Sequence, residues 1–342
     1  MDHQVLYRSW RPRDFSELTG QDHIRRTLEN AVLQDKVSHA YLFAGPRGTG
    51  KTTTARILAK VLNCSDREGV RPCGICECCV SISQGNALDV MEIDAASNRG
   101  IEHIRDLKEK TVYLPAIGKY RIFIIDEAHM LTTEAFNALL KTLEEPPGHV
   151  VFMLATTEAQ RMPQTVLSRC QRFDFHKLSY QEILTRLEEI LAGEGRSAEP
   201  DALALLIRQA DGSMRDAISL LDQCLSYSLD RISAADTAAI LGLVRQDVLN
   251  SLLSAIVSKD APSLFGILDE QFNQGLDPQQ LLREFAGYCR DMLILALCGP
   301  QTDLVIADRE QRRIMEEQGA MIGASRLQAA VGQAEQAASG AR

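Results

Sequence analysis

The strongest constraint on the fold is Gly45-Pro46-Arg47-Gly48-Thr49-Gly50-Lys51-Thr52, a run that fits G-x-x-x-x-G-K-[ST]. Its glycines let backbone N–H groups close around phosphate oxygens. Lys51 is spaced to reach the β/γ-phosphates, and Thr52 offers its hydroxyl to Mg²⁺. With Gly at about 7% of residues, chance supplies such a run about once per hundred chains of this length. The flanks narrow that further. Residues 40–44 (Ala-Tyr-Leu-Phe-Ala) read as a strand, and Thr52 to Leu62 as a helix with Ala55, Leu58, Ala59 and Leu62 on one face. A helix opening there points its positive end at a bound anion.

Ile122-Phe123-Ile124-Ile125-Asp126-Glu127 carries the second signal. An acidic pair closing a buried strand is unfavourable unless it serves a site. Beside a phosphate loop, the first carboxylate suits the Mg²⁺ shell, and the second is placed to orient and deprotonate a water. By itself the pair is equally an acidic opening to a loop. Residues 89–94 read as a strand lying between the two motifs in sequence, the arrangement of P-loop proteins that hydrolyse rather than of kinases. Residues 121–125, 150–155 and 171–175 read as further strands. A helix carries Phe136, Leu139, Leu140 and Leu143 and stops at Pro146-Pro147. Strands alternating with helices predict a parallel α/β sheet.

Five of the nine cysteines fall between Cys64 and Cys79. Cys64-x8-Cys73-x2-Cys76-x2-Cys79 has the spacing of a tetrahedral structural Zn²⁺ site, with Cys78 as the spare. Free buried thiols are the alternative. The chain carries a net charge of -9, so nucleic-acid contact by bulk positive field is excluded and any such contact must be local. Aromatic residues, at 5%, are too few for base-stacking platforms. No apolar run reaches the length of a membrane span. The start, Met1-Asp2-His3-Gln4, has no signal-peptide pattern. A cytoplasmic protein is expected.

Beyond Lys177 no convincing strand is found. Short amphipathic helices are predicted at 180–192, 201–210, 214–226 and 234–241, and longer ones near 246–257, 261–274, 279–298 and 308–318. Residues 325–342 are Ala/Gln-rich and weakly periodic. Three features gain interest from the two motifs. Thr156-Thr157 ends the fourth strand. Arg169 lies just before the last strand. Arg215, after Gly212-Ser213-Met214, sits in the first turn of a helix, where a cation opposes the dipole and an anionic partner would explain it. A solvated surface arginine is the ordinary alternative at both Arg positions.

GPRGTGKT, IIDEAHML, ATT, SRC and GSMRDA occur here in the order of an AAA+ clamp-loader ATPase. With LYRSWRPRDFSELTGQ at 6–21, the four cysteines, EIDAASNRG at 92–100 and FNALLKTLEEPP at 136–147, the chain resembles the gamma/tau family of bacterial DNA polymerase III subunits. The resemblance covers roughly 1–300. It implies an α/β AAA+ core at 1–177 with a zinc-binding insertion at 64–79, a helical lid at 178–242 and a partial helical collar at 243–342. It implies ATP and Mg²⁺ as cofactors beside Zn²⁺. Lys51 and Thr52 would hold phosphates and metal, Asp126 the metal, and Glu127 would be the catalytic base. Thr157 would be sensor 1, Arg215, beside Met214, sensor 2, and Arg169 an arginine finger serving a neighbouring subunit. Gly45 to Thr53, with Arg47 among them, would wrap the phosphates. Tyr7, Arg8, Arg11 and Pro12 would border the base. Asn98, Arg99 and Gly100 would begin a helix facing primer-template DNA.

The resemblance further implies a pentameric ring with delta- and delta-prime-type subunits, and a sliding clamp as cargo. The holoenzyme's own reaction is nucleotidyl transfer by a DNA-directed DNA polymerase, and nothing in this chain resembles a polymerase active site. The family normally continues past this collar, so the end at Arg342 reads as a fragment or an early stop. Two rivals remain. A non-hydrolysing stator of the same fold is opposed by the intact Lys51, Thr52 and Asp126-Glu127. An AAA+ branch-migration helicase is opposed by the cysteine cluster and Ser168-Arg169-Cys170.

Overall fold

The computed structural model describes residues 5–66, 72–227, 231–242, 244, 246–273, 275–299, 302, 304–305, 307 and 309–340. The readings made at 1–4, 243, 274, 308 and 341–342 lie outside the described residues. Five strands form one sheet: β1 (Ala40–Ala44), β2 (Val90–Asp94), β3 (Arg121–Asp126), β4 (Val150–Thr156) and β5 (Gln171–Asp174). Their order is β2-β3-β4-β1-β5, and every neighbouring pair is parallel. Strands β1 and β4 are buried at every residue, which is why they read as unbroken apolar runs. Strand β2 lies at an edge and is half-buried, so it alternates.

Parallel pairing brings all the C-terminal strand ends to one edge of the sheet. Asp94 lies beside Asp126, and Ala44 lies between Thr156 and Asp174. The helices here are α1 (Leu6–Ser9), α2 (Asp22–Leu33), α3 (Lys51–Asn63), α4 (Glu77–Gln84), α5 (Ile101–Lys110), α6 (Thr133–Glu144) and α7 (Gln164–Leu167), of which α2 and α3 cover one face of the sheet and α5, α6 and α7 the other. Alternate strand residues serve opposite cores. Leu42, Phe123, Ile125, Phe152 and Leu154 pack with Ile104, Leu107, Leu139 and Leu143 from α5 and α6. Tyr41, Phe43, Ile122, Ile124 and Met153 pack with Ile24, Leu28, Ile57 and Leu58 from α2 and α3. Helices α2 and α4 were not anticipated from the sequence.

Beyond the sheet come α8 (Tyr180–Gly193), α9 (Pro200–Ala210) and α10 (Met214–Tyr227). A capping box between Ser179 and Glu182 opens α8, and Pro200 opens α9. The expectation of no strand here is corrected by a two-residue parallel pair, β6 (Ser197–Ala198) with β7 (Arg231–Ile232). Two residues cannot display a period-two pattern, so the sequence carries no trace of it.

The chain divides into two compact units, Met1–Ser233 and Ala234–Arg342. The second unit is helical among its described residues: α11 (Ala234–Ile240), α12 (Gln246–Ser258), α13 (Ala261–Asn273), α14 (Pro278–Cys298), α15 (Arg309–Ile322) and α16 (Ala324–Gly340). Its core includes Leu252, Leu281, Tyr288, Met292, Leu295, Met315 and Leu327. The stretch read as weakly periodic is therefore the 17-residue helix α16. Alanine favours the helix without supplying large apolar side chains, so propensity is present where periodicity is faint. No described helix is long and apolar enough to cross a membrane.

One buried acid organises the approach to β3. Asp89, 5% exposed, accepts the backbone N–H groups of Ala116, Ile117 and Gly118 at 2.6, 2.8 and 2.8 Å. Burial opposes its charge, but these bonds outweigh it and hold the carboxyl below the usual range. Asp89→Asn is expected to destabilise the chain by about 2–3 kcal/mol at pH 7. Because the folded pKa is depressed, the difference from wild type is full above about pH 4 and shrinks as pH falls through the folded value. Denaturant melts of both proteins at pH 7 and pH 3 check this.

Candidate functional site

The loop after β1 bends through three glycines with positive φ: Gly45 (+146°), Gly48 (+74°) and Gly50 (+103°). It delivers the chain directly into α3, whose first residue is Lys51. The Lys51 ammonium donates to the carbonyls of Gly45 (2.9 Å) and Pro46 (2.7 Å), and Thr49 Oγ1 donates to Pro46 O (2.8 Å). Burial lowers the Lys51 pKa, against the opposing pull of Glu127 and Asp126. A bound anion would relieve that desolvation.

The acid pair meets this loop across the sheet edge. Thr52 Oγ1 donates to Asp126 Oδ2 at 2.9 Å. Burial raises the Asp126 pKa, while the Thr52 hydroxyl and the Glu127 N–H act the other way. A half-buried carboxylate touching a threonine hydroxyl beside an ammonium is a donor set that fits Mg²⁺. Glu127 holds a left-handed backbone (φ 46°), unusual for a side-chain-bearing residue. Thr157 Oγ1 donates to Glu127 Oε2 at 3.0 Å. Thr157 thus meets Glu127 from β4's end, as sequence order alone could not show.

An open cleft, about 1000 Å³ with its mouth included, lies over these groups. Tyr7, Arg11, Pro12, Arg47, Gly48, Thr49, Gly50, Lys51, Thr52, Thr53, Asp126, Glu127, Met214 and Arg215 all line it. Arg8 instead lines an adjoining cavity with Arg11 and Pro12. Six lining residues escaped the sequence reading: Trp10, Leu18, Thr19, Leu178, Arg186 and Ile218. Trp10 was the most findable, as the lone tryptophan between Tyr7 and Arg11. Its indole N–H donates to Glu194 Oε1 (2.8 Å), and Arg186 lies over its ring at 5.7 Å. The guanidinium of Arg215 faces the Tyr7 ring at 5.1 Å, where the sequence argument expected an anion. A cation–π contact is the partner this chain itself supplies.

Two groups of expected residues lie away from the cleft. Arg169 precedes β5, whose first residue pairs with Tyr41 near the start of β1, whereas the glycine loop follows the end of β1. Strand β5 adjoins β1, so the separation of Arg169 from the glycine loop runs along the strands. Arg169 donates to Glu144 Oε1 (2.7 Å) and Thr165 O (2.6 Å). Asn98 and Arg99 lie in the turn after β2. Asn98 Nδ2 donates to Asp94 O (3.0 Å), Arg99 Nε to Ala96 O (3.1 Å), and Thr132 N–H to Arg99 O (3.2 Å). Gly100 is the N-cap of α5.

Cys64, Cys73, Cys76 and Cys79 bring their sulfurs within 4.8 Å of one another. Backbone N–H groups of Cys73, Cys76 and Cys79 point at the sulfurs of Cys64, Cys73 and Cys76, at 3.4, 3.4 and 3.5 Å. Such N–H···S bonds favour thiolates, and the set is compatible with tetrahedral zinc. Cys78 is buried outside this group.

Three family models match in succession. They are "DNA polymerase III, delta subunit" at 20–179, "DNA polymerase III clamp loader subunit, ATPase lid domain" at 182–230, and "DNA polymerase III subunits gamma and tau domain III" at 232–330. DNA polymerase III subunit tau of Bacillus subtilis is 47% identical over 294 residues, 86% of this chain and 52% of that protein. The Escherichia coli subunit tau is 43% identical over 297 residues, 87% and 46% respectively. The Mycobacterium bovis subunit gamma/tau is 38% identical over 328 residues, 94% and 57%. The chain thus spans about half the length of these curated relatives. Among solved structures, the RuvB Holliday junction branch migration motor of Thermotoga maritima shares the fold, with TM-score 0.51 and 20% identity over 72% of this chain and 79% of that one.

The glycine loop is also pinned from above. A Cβ on Gly48 would meet Ser213 Oγ at 1.9 Å. Gly48→Ala combines that clash with a left-handed backbone and is expected to destabilise the chain by about 2 kcal/mol or more. Gly148→Ala, where a Cβ meets nothing within 4 Å, serves as the neutral control. Thermal melts of the two variants provide the check.

Proposed function

Because the chain belongs to the gamma/tau family of DNA polymerase III clamp-loader subunits, we propose that it is an ATP-driven motor subunit that loads a sliding clamp onto primer-template DNA. The observation that carries this reading is the meeting of Lys51, Thr52, Asp126 and Glu127 at one cleft. Lys51 neutralises phosphate charge in the bound state. The backbone of Gly45 to Thr53 wraps the phosphates, and Tyr7, Arg8, Arg11 and Pro12 border the base. Thr52 and Asp126 hold Mg²⁺, which supplies charge neutralisation at the phosphates. Glu127 takes a proton from the attacking water, oriented with the help of Thr157. Arg215, beside Met214, joins the same nucleotide from the helical lid.

In this reading the α/β core spans 1–177, the lid 178–242 and the collar 243–342. Arg169 serves a neighbouring subunit, which its place at the opposite strand ends from its own glycine loop supports. An arginine finger is worth roughly 10³–10⁵ in rate. Asn98, Arg99 and the helix opened by Gly100 offer the local phosphate contact that an acidic chain requires for primer-template DNA. Delta- and delta-prime-type subunits complete a pentameric ring in the cytoplasm. The polymerase reaction of the holoenzyme belongs to other subunits. Cys64, Cys73, Cys76 and Cys79 hold a structural Zn²⁺ that supports the fold and takes no part in hydrolysis.

Division of labour at the cleft sets the decisive experiment. Lys51→Ala is expected to abolish ATP binding, whereas Glu127→Gln keeps binding and loses turnover, because Glu127 acts only on the water. Equilibrium nucleotide binding and steady-state ATPase, each with and without primed DNA and clamp, separate the two. Equal loss of binding in both variants would sink the assignment. Zinc content is expected at one ion per chain, retained in Cys78→Ser and largely lost in Cys79→Ser, read by metal analysis of the purified proteins.

A further inference from the structure

The imidazole of His129 is 6% exposed and lies between two carboxylates. Its Nδ1 is 3.0 Å from Thr156 Oγ1 and 3.5 Å from Glu127 Oε2. Its Nε2 is 3.4 Å from Glu158 Oε1, which also pairs with Arg161 at 3.1 Å. Thr156, fully buried at the end of β4, accepts the Glu158 N–H at 3.1 Å. His129 therefore ties the turn after β3 to the end of β4 and the turn that follows it, Nδ1 lying between Thr156 and Glu127 and Nε2 against Glu158.

The carboxylate beside it needs such a support. Glu127 projects from a left-handed residue at the end of its strand, and its side chain is one-third exposed. A long side chain in that position has several rotamers open to it. Its Oε2 is approached by both Thr157 Oγ1 and His129 Nδ1. Among the described residues no group donates to Oε1. With Oε2 hydrogen-bonded by the Thr157 hydroxyl and the imidazole 3.5 Å away on the same oxygen, Oε1 is the oxygen left to face a water over the cleft. A histidine that only filled a core would have no reason to place both nitrogens against polar groups of the reacting edge.

We propose that His129 is a positioning residue for ATP hydrolysis, holding Glu127 Oε2 so that Oε1 is aimed at the attacking water. The inference rests on the reading of Glu127 as the base. His129 is not among the residues lining the cleft, so its effect falls on turnover and not on nucleotide affinity.

The test uses the side-chain amides to separate the two nitrogens. Asparagine can place an N–H near the position of Nδ1, and glutamine near that of Nε2. His129→Leu is expected to lower kcat roughly tenfold or more while the ATP dissociation constant stays within about twofold. His129→Asn is expected to recover most of that loss, and His129→Gln little of it. The assay is steady-state ATPase of the full chain assembled with its partner subunits, clamp and primed DNA, with ATP binding measured alongside. Unchanged kcat in His129→Leu overturns the proposal. So does equal recovery by the two amides, or a fall in ATP affinity matching the fall in kcat. Should His129→Leu fail to fold, the Asn and Gln variants decide by the same criterion. Wild type and Glu127→Gln run in parallel isolate the premise. Equal turnover in those two overturns the assignment of Glu127, whereas a dead Glu127→Gln beside a fully active His129→Leu overturns only the role of His129.

Discussion

The ammonium of Lys51 sits between the carbonyl oxygens of Gly45 and Pro46, in a residue only 6% exposed. Two neutral acceptors do not replace the hydration a buried cation loses, and its pKa falls accordingly. The loop is thus built around a charge that lacks a full counter-ion of its own. That shortage is what gives the surrounding backbone its purpose. Three positive-φ glycines close the loop over the ammonium, and the helix that starts at Lys51 adds its dipole in the same direction. An anion entering here meets a cation already desolvated and already aimed.

The acid side of the cleft has the complementary design. Asp126 closes β3 and takes the Thr52 hydroxyl, so the two halves of the sheet edge are joined by a hydrogen bond. Glu127 follows in a strained conformation of the kind found where a side chain must be aimed. The turn behind it is tied at both ends to the segment after β2. Ala95 N–H donates to Asp126 O, and Thr132 N–H to Arg99 O. The half-buried Asn98 and the exposed Arg99 are therefore mechanically continuous with the turn that carries Glu127. Ligand binding at one place would be felt at the other only if that turn has two arrangements.

Helices α8 and α10 form the roof. Ser213 and Arg215 press on Gly48, with Arg215 N–H reaching the Gly48 carbonyl at 3.5 Å. The segment at 6–12 closes the side, through Tyr7 against Arg215 and Trp10 against Arg186. Gly193 is small because the Trp10 ring occupies the space where its Cβ would lie. Three distant parts of the chain thus surround one loop.

Much of this was legible before the fold was known. Strand β1 and helix α3 follow from apolar runs and periodicity, and the glycine loop from residue chemistry at fixed spacing. The four cysteines announce themselves in the same way. Each of these signals is local, and local periodicity survives in sequence because one face of each element is buried. Helix α2 was missed because its charged outer residues, Asp22, Arg25, Arg26 and Glu29, surround only two buried ones, Ile24 and Leu28. Other features exist only between segments. Sequence order could not say that β5 lies beside β1, and so could not place Arg169 relative to the glycine loop. Nor could it say that Arg215 would meet the ring of Tyr7, or that His129 would lie between Glu127 and Glu158. The residue types determine which chemistry is possible at the strand ends. The order and register of the parallel strands decide which of those residues meet, because neighbours across a sheet are separated in the chain by whole helices.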